Sequence, residues 1–237
     1  KSVKTPVKIG IVGKYFGTGD FTLSDSYLSV IEAIKHSAWS LNRKPEITWL
    51  DAEAYENSPM KLEELKNFDG IIVPGGFGKR GVEGKILAIN YVREINITFL
   101  VLCYGLQLAV IEFARNICKL KEAHTTEVDP DTSQPVICTM AEQMTNIAKK
   151  KMGGTMRLGA YDCRLTEGSL SRKLYGQNLI SERHRHRYEV NNQYRSVLQK
   201  SGMLIAGESD SRRTKQKLVE IIELPQNKFF VATQFHP

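Results

Sequence analysis

The sequence predicts an α/β fold: one domain over residues 1–237, built on an open, mostly parallel sheet flanked by helices. Three observations lead there. Short apolar runs alternate with segments of helical periodicity from Val7 to Asn116. Several of the runs are apolar at every position, as strands buried on both faces of a helix-covered parallel sheet must be. The chain has 237 residues, 41% hydrophobic and 25% charged, which is globular composition with enough length to bury a sizeable core.

Val7 to Gly13 reads as a strand ending in glycine. After the polar loop GTGDFTLSD, Tyr27, Val30, Ile31, Ile34, Ala38 and Leu41 recur at helical spacing, with Ser24 and Asp25 as suitable caps. Glu46 to Leu50 is a second strand and Lys61 to Lys66 a short helix. Gly70 to Val73 is a third strand running into PGGFG, Arg80 to Glu94 a helix, Thr98 to Leu102 a fourth strand, and Gly105 to Asn116 a helix. From Glu122 to Gln143 the residues DPDTSQP break any regular pattern. Met203 to Ala206, Leu218 to Leu224 and Phe229 to Phe235 read as later strands, the last two a hairpin about Pro225, Gln226 and Asn227.

Lysine and arginine number 33 against 26 acidic residues, a net charge of +7 that would suit anionic ligands. The basic residues are mostly scattered and no nucleic-acid-binding motif accompanies them, so no nucleic-acid partner is expected. No apolar run approaches the length of a membrane span and the N-terminus lacks the pattern of a secretory signal, so no membrane partner is expected and the location is read as cytoplasmic. Cys103, Cys118, Cys138 and Cys163 include no CxxC pair; neither a zinc site nor a disulfide scaffold is expected.

Cys103 follows TFLVL directly and precedes Tyr104-Gly105-Leu106-Gln107, so it sits at a strand-to-helix turn. There a nucleophile can be held exposed and a thiolate stabilised by the helix N-terminus. The other reading is a buried core cysteine. The glycines of Pro74-Gly75-Gly76-Phe77-Gly78 let backbone N–H groups face a bound carbonyl, or simply make a tight loop at the same sheet edge. His236 ends the last strand and is the candidate base; His36 and His124 have bland explanations in a helix face and a polar loop. Within RHRHRYEV, an extended chain places Arg183, Arg185, Arg187 and Glu189 on one face and His184, His186, Tyr188 and Val190 on the other. The arginine face is either solvated or collects carboxylate or phosphate groups.

PGGFG, CYGLQ and QFHP, in this order, resemble the class I (triad) glutamine amidotransferases. The longer strings PGGFGKRGVEGK, TTEVDP, MGGTMRLG, RHRHRYEVNN and LVEIIELP make the chain most similar to the glutaminase domain of the CTP synthase family. The resemblance implies that Cys103 is the nucleophile, forming a thioester with the side chain of L-glutamine, and that His236 is its base. It implies an oxyanion hole from Gly76 and the backbone after Cys103, and a glutamine site from Tyr104, Gly105, Leu106, Gln107, Glu127 and Arg187, with Glu127 facing the substrate ammonium. No metal is implied, and no cofactor in this domain.

Certain positions depart from the pattern. The family places Glu directly after the His-Pro pair, where this chain stops at Pro237; it usually reads CLGMQ where this chain has CYGLQ; and Val101 stands where glycine is usual. The synthase (amidoligase) domain that precedes the glutaminase domain in the family is expected to be absent from this chain. ATP and Mg, with UTP and GTP, are implied as ligands of the full-length enzyme, which would be a homo-oligomer. Other readings are a glutamine-hydrolysing subunit serving another acceptor, and a non-catalytic module sensing glutamine or nucleotide.

Overall fold

The computed structural model describes residues 5–14, 27–139, 156–211 and 216–237. The first half alternates as expected: β1 (Thr5–Gly13), α1 (Leu28–Ser40), β2 (Arg43–Asp51), α2 (Ala52–Asn57), a 3₁₀ segment (Pro59–Asn67), β3 (Gly70–Val73), α3 (Val82–Ile95), β4 (Thr98–Leu102) and α4 (Tyr104–Asn116). The short helix expected at Lys61 to Lys66 lies within the 3₁₀ segment, where Pro59 sits in the first turn. Ser24 and Asp25, the expected caps of α1, lie outside the described residues.

The second half supplies β5 (Ala123–Thr125), β6 (Gln134–Thr139), β7 (Arg157–Leu165), β8 (Leu179–His186), β9 (Tyr188–Val190), β10 (Leu204–Asp210), β11 (Lys217–Glu223) and β12 (Phe230–Thr233). Nine strands form one sheet in the order β2-β1-β3-β4-β12-β11-β10-β7-β8. It is parallel from β2 through β12 and antiparallel beyond. β3 and β12 are buried at every residue, which is why their sequences show no alternation.

The stretch Glu122 to Gln143, expected to be irregular, instead contributes β5 and β6, which join β9 in a separate three-stranded sheet. Two short strands around a turn-rich loop carry no local period, and their third partner comes from far along the chain. This small sheet covers α4, which packs on β4 and β12 on its other side. Enclosed from both directions, α4 is buried from Tyr104 through Ala114. Its one buried carboxylate, Glu112, is answered by Arg93 through contacts of 2.9 to 3.1 Å. Among the described residues no helix is long and apolar enough to cross a membrane.

The position of β12 decides what the fold can do. It lies parallel to β4 with Thr233 opposite Leu102, and Cys103 N–H donates to Thr233 O at 2.6 Å. The end of the chain is thereby returned to the carboxyl edge where β4 enters α4, and the expected β11–β12 hairpin is the device that returns it. The close approach of α4 to the sheet depends on Gly105. A Cβ there would fall 2.5 Å from Val101 Cγ1 and 2.6 Å from Val73 O. Val101 is therefore tolerated at the base of the turn because residue 105 has no side chain. Gly105→Ala is expected to lower stability by about 3 kcal/mol, measured by urea unfolding, because neither contact can yield without moving β3 or β4. An unchanged midpoint would contradict this.

Candidate functional site

Cys103 is the residue on which the elements converge. It is the N-cap of α4, with φ 52° and ψ −107°, a backbone conformation unfavourable for a side-chain-bearing residue. Val73 leads from β3 into the loop Pro74 to Gly78, which lies beside it. A Cβ placed on Gly75 would meet His236 Cε1 at 2.9 Å and Cys103 Cβ at 3.5 Å, so thiol-bearing and imidazole-bearing residues flank one point of this loop. The His236 backbone is held by its own bridge to β8, donating to Arg183 O at 2.9 Å. His236 Nε2 has no hydrogen-bond partner among the described residues.

These residues open on a cleft of about 700 Å³, whose walls include Gly76, Cys103, Tyr104, Gln107, Glu127, Arg187 and His236. The volume suits a small polar molecule. Gly105 and Leu106, expected with them, do not line it: Gly105 lies against Val73 and Val101, and Leu106 is fully buried in the core. Tyr104 and Gln107, one helical turn apart, do face it. Tyr104 Oη donates to Gly78 O at 2.9 Å, and Gly78 N–H donates to Glu127 Oε1 at 2.7 Å, so both residues also fix the glycine loop.

The electrostatics are those of a dry site. Burial pushes the Cys103 thiol up to about 12; the Tyr104 amide and the Gln234 carboxamide oppose this, and the Glu189 and Glu127 carboxylates add to it. Burial, with Arg183 and Arg185 nearby, pushes His236 down. The resting pair is therefore a neutral thiol and a neutral imidazole, a base with its lone pair free. Glu127 is pushed up by burial, offset by the Gly78 amide and by the charges of Lys14 and Arg187.

Several participants carry no sequence signal strong enough to name them. Lys85 stands in the apolar stripe of α3 with Val82, Ile86 and Ile89, fully buried, its Nζ without a hydrogen-bond partner among the described residues and 6.0 Å from the Tyr104 ring centroid. Burial and the neighbouring Lys14 push it down to about 7. Lys14, which follows β1, donates to Phe77 O and so ties the glycine loop from below. Charged residues at core positions of apolar segments were the available clue.

The alternation expected through RHRHRYEV holds only as far as β8 runs. His184 and His186 point inward and Arg183 and Arg185 outward, but Glu189, expected beside the arginines, is buried. The reason is that the chain leaves the large sheet after His186 and Tyr188 to Val190 joins the small one. Glu189 and Glu220 share Arg157, at 3.1 and 2.8 Å, and His184 Nδ1 lies 2.9 Å from His186 Nε2 beside them. Burial pushes both carboxylates up and both imidazoles down. His184, His186 and Glu220 are close enough to hold a cation together. The Arg157 guanidinium bonded to Glu220 already supplies the positive charge, and it opposes a second one.

The family model for class-I glutamine amidotransferases matches residues 22–237. A CTP synthase of Methanosarcina acetivorans is 50% identical over 237 residues, and one of Sulfurisphaera tokodaii is 51% identical over the same length. In each case the chain spans 42% of the relative's length. A solved glutaminase domain of Trypanosoma brucei CTPS with bound acivicin is 37% identical with a TM-score of 0.87, over 98% of this chain and 86% of that one. A glutamine amidotransferase of Thermotoga maritima, 12% identical with a TM-score of 0.56 over 98% of this chain and 76% of that one, shares the fold.

A neutral thiol at rest has a measurable signature. In the substrate-free chain, alkylation of Cys103 by iodoacetamide should accelerate with pH through about pH 9 without levelling, since the reactive thiolate is still a minor species there. A plateau below about pH 7 would reveal a standing thiolate–imidazolium pair instead.

Proposed function

Because the chain belongs to the class-I glutamine amidotransferases, as a glutaminase domain of the CTP synthase type, we propose that Cys103 and His236 hydrolyse the side-chain amide of L-glutamine in the cleft between them. The observation that carries the assignment is that Cys103 Cβ and His236 Cε1 both lie against the one position a Cβ on Gly75 would occupy.

In this reading each residue has a task. Cys103 Sγ attacks the carboxamide carbon while its proton passes to His236 Nε2, forming the C–S bond. The oxyanion faces the N–H groups of Gly76 and Tyr104, which need no reorganisation as charge develops. His236 returns the proton to the departing nitrogen, the C–N bond breaks, and ammonia leaves a γ-glutamyl thioester. Water, deprotonated by the same imidazole, then releases glutamate and restores the thiol. Since the thiol is neutral at rest, proton removal accompanies substrate binding rather than preceding it.

At the amino-acid end of the substrate, Glu127 meets the ammonium and Arg187 the carboxylate, a zwitterion matched by two opposite charges in a partly desolvated cleft. Tyr104 and Gln107 complete the wall, and buried Gln107 Oε1, unpartnered among the described residues, is an acceptor available to the ligand. Residues 1–237 serve as one glutaminase domain. In the whole enzyme its ammonia aminates UTP to CTP at the expense of ATP with Mg on a synthase domain of the same polypeptide, with GTP as effector, in a cytoplasmic homo-oligomer. The relatives' greater length supports that wider setting.

An electrophilic glutamine analogue should alkylate Cys103 and spare Cys118, Cys138 and Cys163 in a brief exposure, read by peptide mapping. Earlier labelling at any of those three would remove Cys103 from the role. Glu127→Gln and Arg187→Ala should each raise KM for glutamine by at least about thirtyfold, equivalent to about 2 kcal/mol, with a smaller effect on kcat. An unchanged KM in both would remove them from the substrate site.

A further inference from the structure

One polar side chain at the nucleophile has no part in this reaction as written. Gln234 is fully buried, two residues before the base. Its backbone N–H donates to Glu220 O at 2.8 Å, which fixes the direction in which the side chain leaves the strand. Its Nε2 lies 3.8 Å from Cys103 Sγ, within reach of a hydrogen bond to sulfur.

The sense of that contact is set from a distance. Gln107 Nε2 lies 3.0 Å from Tyr188 O, and a backbone carbonyl can only accept, so Gln107 turns its NH₂ group that way. The same NH₂ lies 3.4 Å from Gln234 Oε1. Gln234 must therefore point its oxygen at Gln107 and its own NH₂ at the sulfur. On its other side the thiol faces Arg185 O at 3.9 Å, which accepts the S–H. Once that proton leaves, the Arg185 carbonyl opposes a negative sulfur, whereas the Gln234 N–H favours one.

Taking Cys103 as the nucleophile, the geometry points to Gln234 as a further catalytic residue: its carboxamide N–H stabilises the Cys103 sulfur whenever it carries negative charge. That happens twice per turnover, as the thiol is deprotonated for attack and as the thioester breaks down with sulfur as leaving group. The Gln107–Gln234 chain also links the first turn of α4 to the end of β12, so the segments carrying nucleophile and base share one oriented pair of amides. The opposing influence of this carboxamide on the raised thiol agrees with that role.

The test uses Gln234→Met, which keeps the length but removes the donor, and Gln234→Glu, which keeps the shape and replaces the donor by an acceptor. Fold is checked by circular dichroism and melting. At a given pH below the thiol's own range, Cys103 alkylation by iodoacetamide should slow about tenfold in Gln234→Met and further in Gln234→Glu, with the profile displaced to higher pH. The kcat for glutamine should fall at least about tenfold with KM nearly unchanged. A structural role alone would leave the alkylation profile in place, and an unmoved profile in folded variants overturns the assignment. Should both variants fail to fold, the unsubstituted chain decides: the side-chain amide resonances of Gln234 should shift over the range, above about pH 10, in which the alkylation rate levels off, and resonances constant through that levelling overturn it. Iodoacetamide carries no amino-acid charges, so this experiment stands apart from the glutamine reading. Failure of a glutamine analogue to label Cys103 would end that reading, whereas an unmoved profile would end only the role of Gln234.

Discussion

Everything at the carboxyl edge of the sheet depends on one strained residue held between two secondary structures. A non-glycine residue at φ 52°, ψ −107° costs about 1 to 3 kcal/mol. It persists because both sides are fixed. Cys103 N–H is paired to Thr233 O across β4 and β12, and the following turn of α4 is seated on Val73 and Val101 through Gly105. With α4 enclosed by two sheets, the turn cannot relax by tilting the helix. The strain places the Tyr104 amide beside the thiol and opens Cys103 to the glycine loop and the last strand. The same pairing that fixes Cys103 brings in His236.

Behind this elbow lies a buried polar layer that sets the shape of the opposite wall. Arg157 joins Glu189 of the small sheet to Glu220 of the large one, with the two histidines of β8 packed beside them. Isolated charges of this kind would be prohibitive in the core, and removing one partner of such a set costs about 3 to 5 kcal/mol. Its arrangement matches the place where the chain crosses from β8 to β9, which puts Arg187 and Tyr188 on the cleft. Negative charge on Glu189, whose own carboxyl burial pushes up, raises the nearby thiol further. The buried polar layer and the Cys103 thiol are thus coupled through one carboxyl group.

The parallel half of the fold was legible because each strand is a local event: VKIGIVG, GIIV and TFLVL are short apolar runs bounded by turn residues, and α1, α3 and α4 have clear helical periods. β5, β6 and β9 were not: β5 and β9 have three residues each, too few for a period, β6 begins in the turn-rich run, and the partners of all three are chosen by tertiary packing. At the site, Cys103 and Gly76 could be placed by a turn and a glycine pair, whereas Glu127 and Arg187 rested on resemblance alone. Glu189 was assigned to the wrong face because alternation assumes one continuous strand. Leu106 also rested on resemblance, and helical geometry turns its side chain to the core. Lys14, Lys85 and Gln234 emerged only with the packing, since a polar residue in an apolar run does not announce which neighbour it serves.

The proposed chemistry has Cys103, held in its strained elbow, react with a ligand whose amino-acid end lies between Glu127 and Arg187. A crystal structure of the chain after reaction with an electrophilic glutamine analogue measures that directly. Density continuous with Cys103 Sγ is expected, with the ligand oxygen at the Gly76 and Tyr104 amides, its ammonium at Glu127 and its carboxylate at Arg187. An adduct on another cysteine, or one on Cys103 whose charged end points away from both residues, would contradict it.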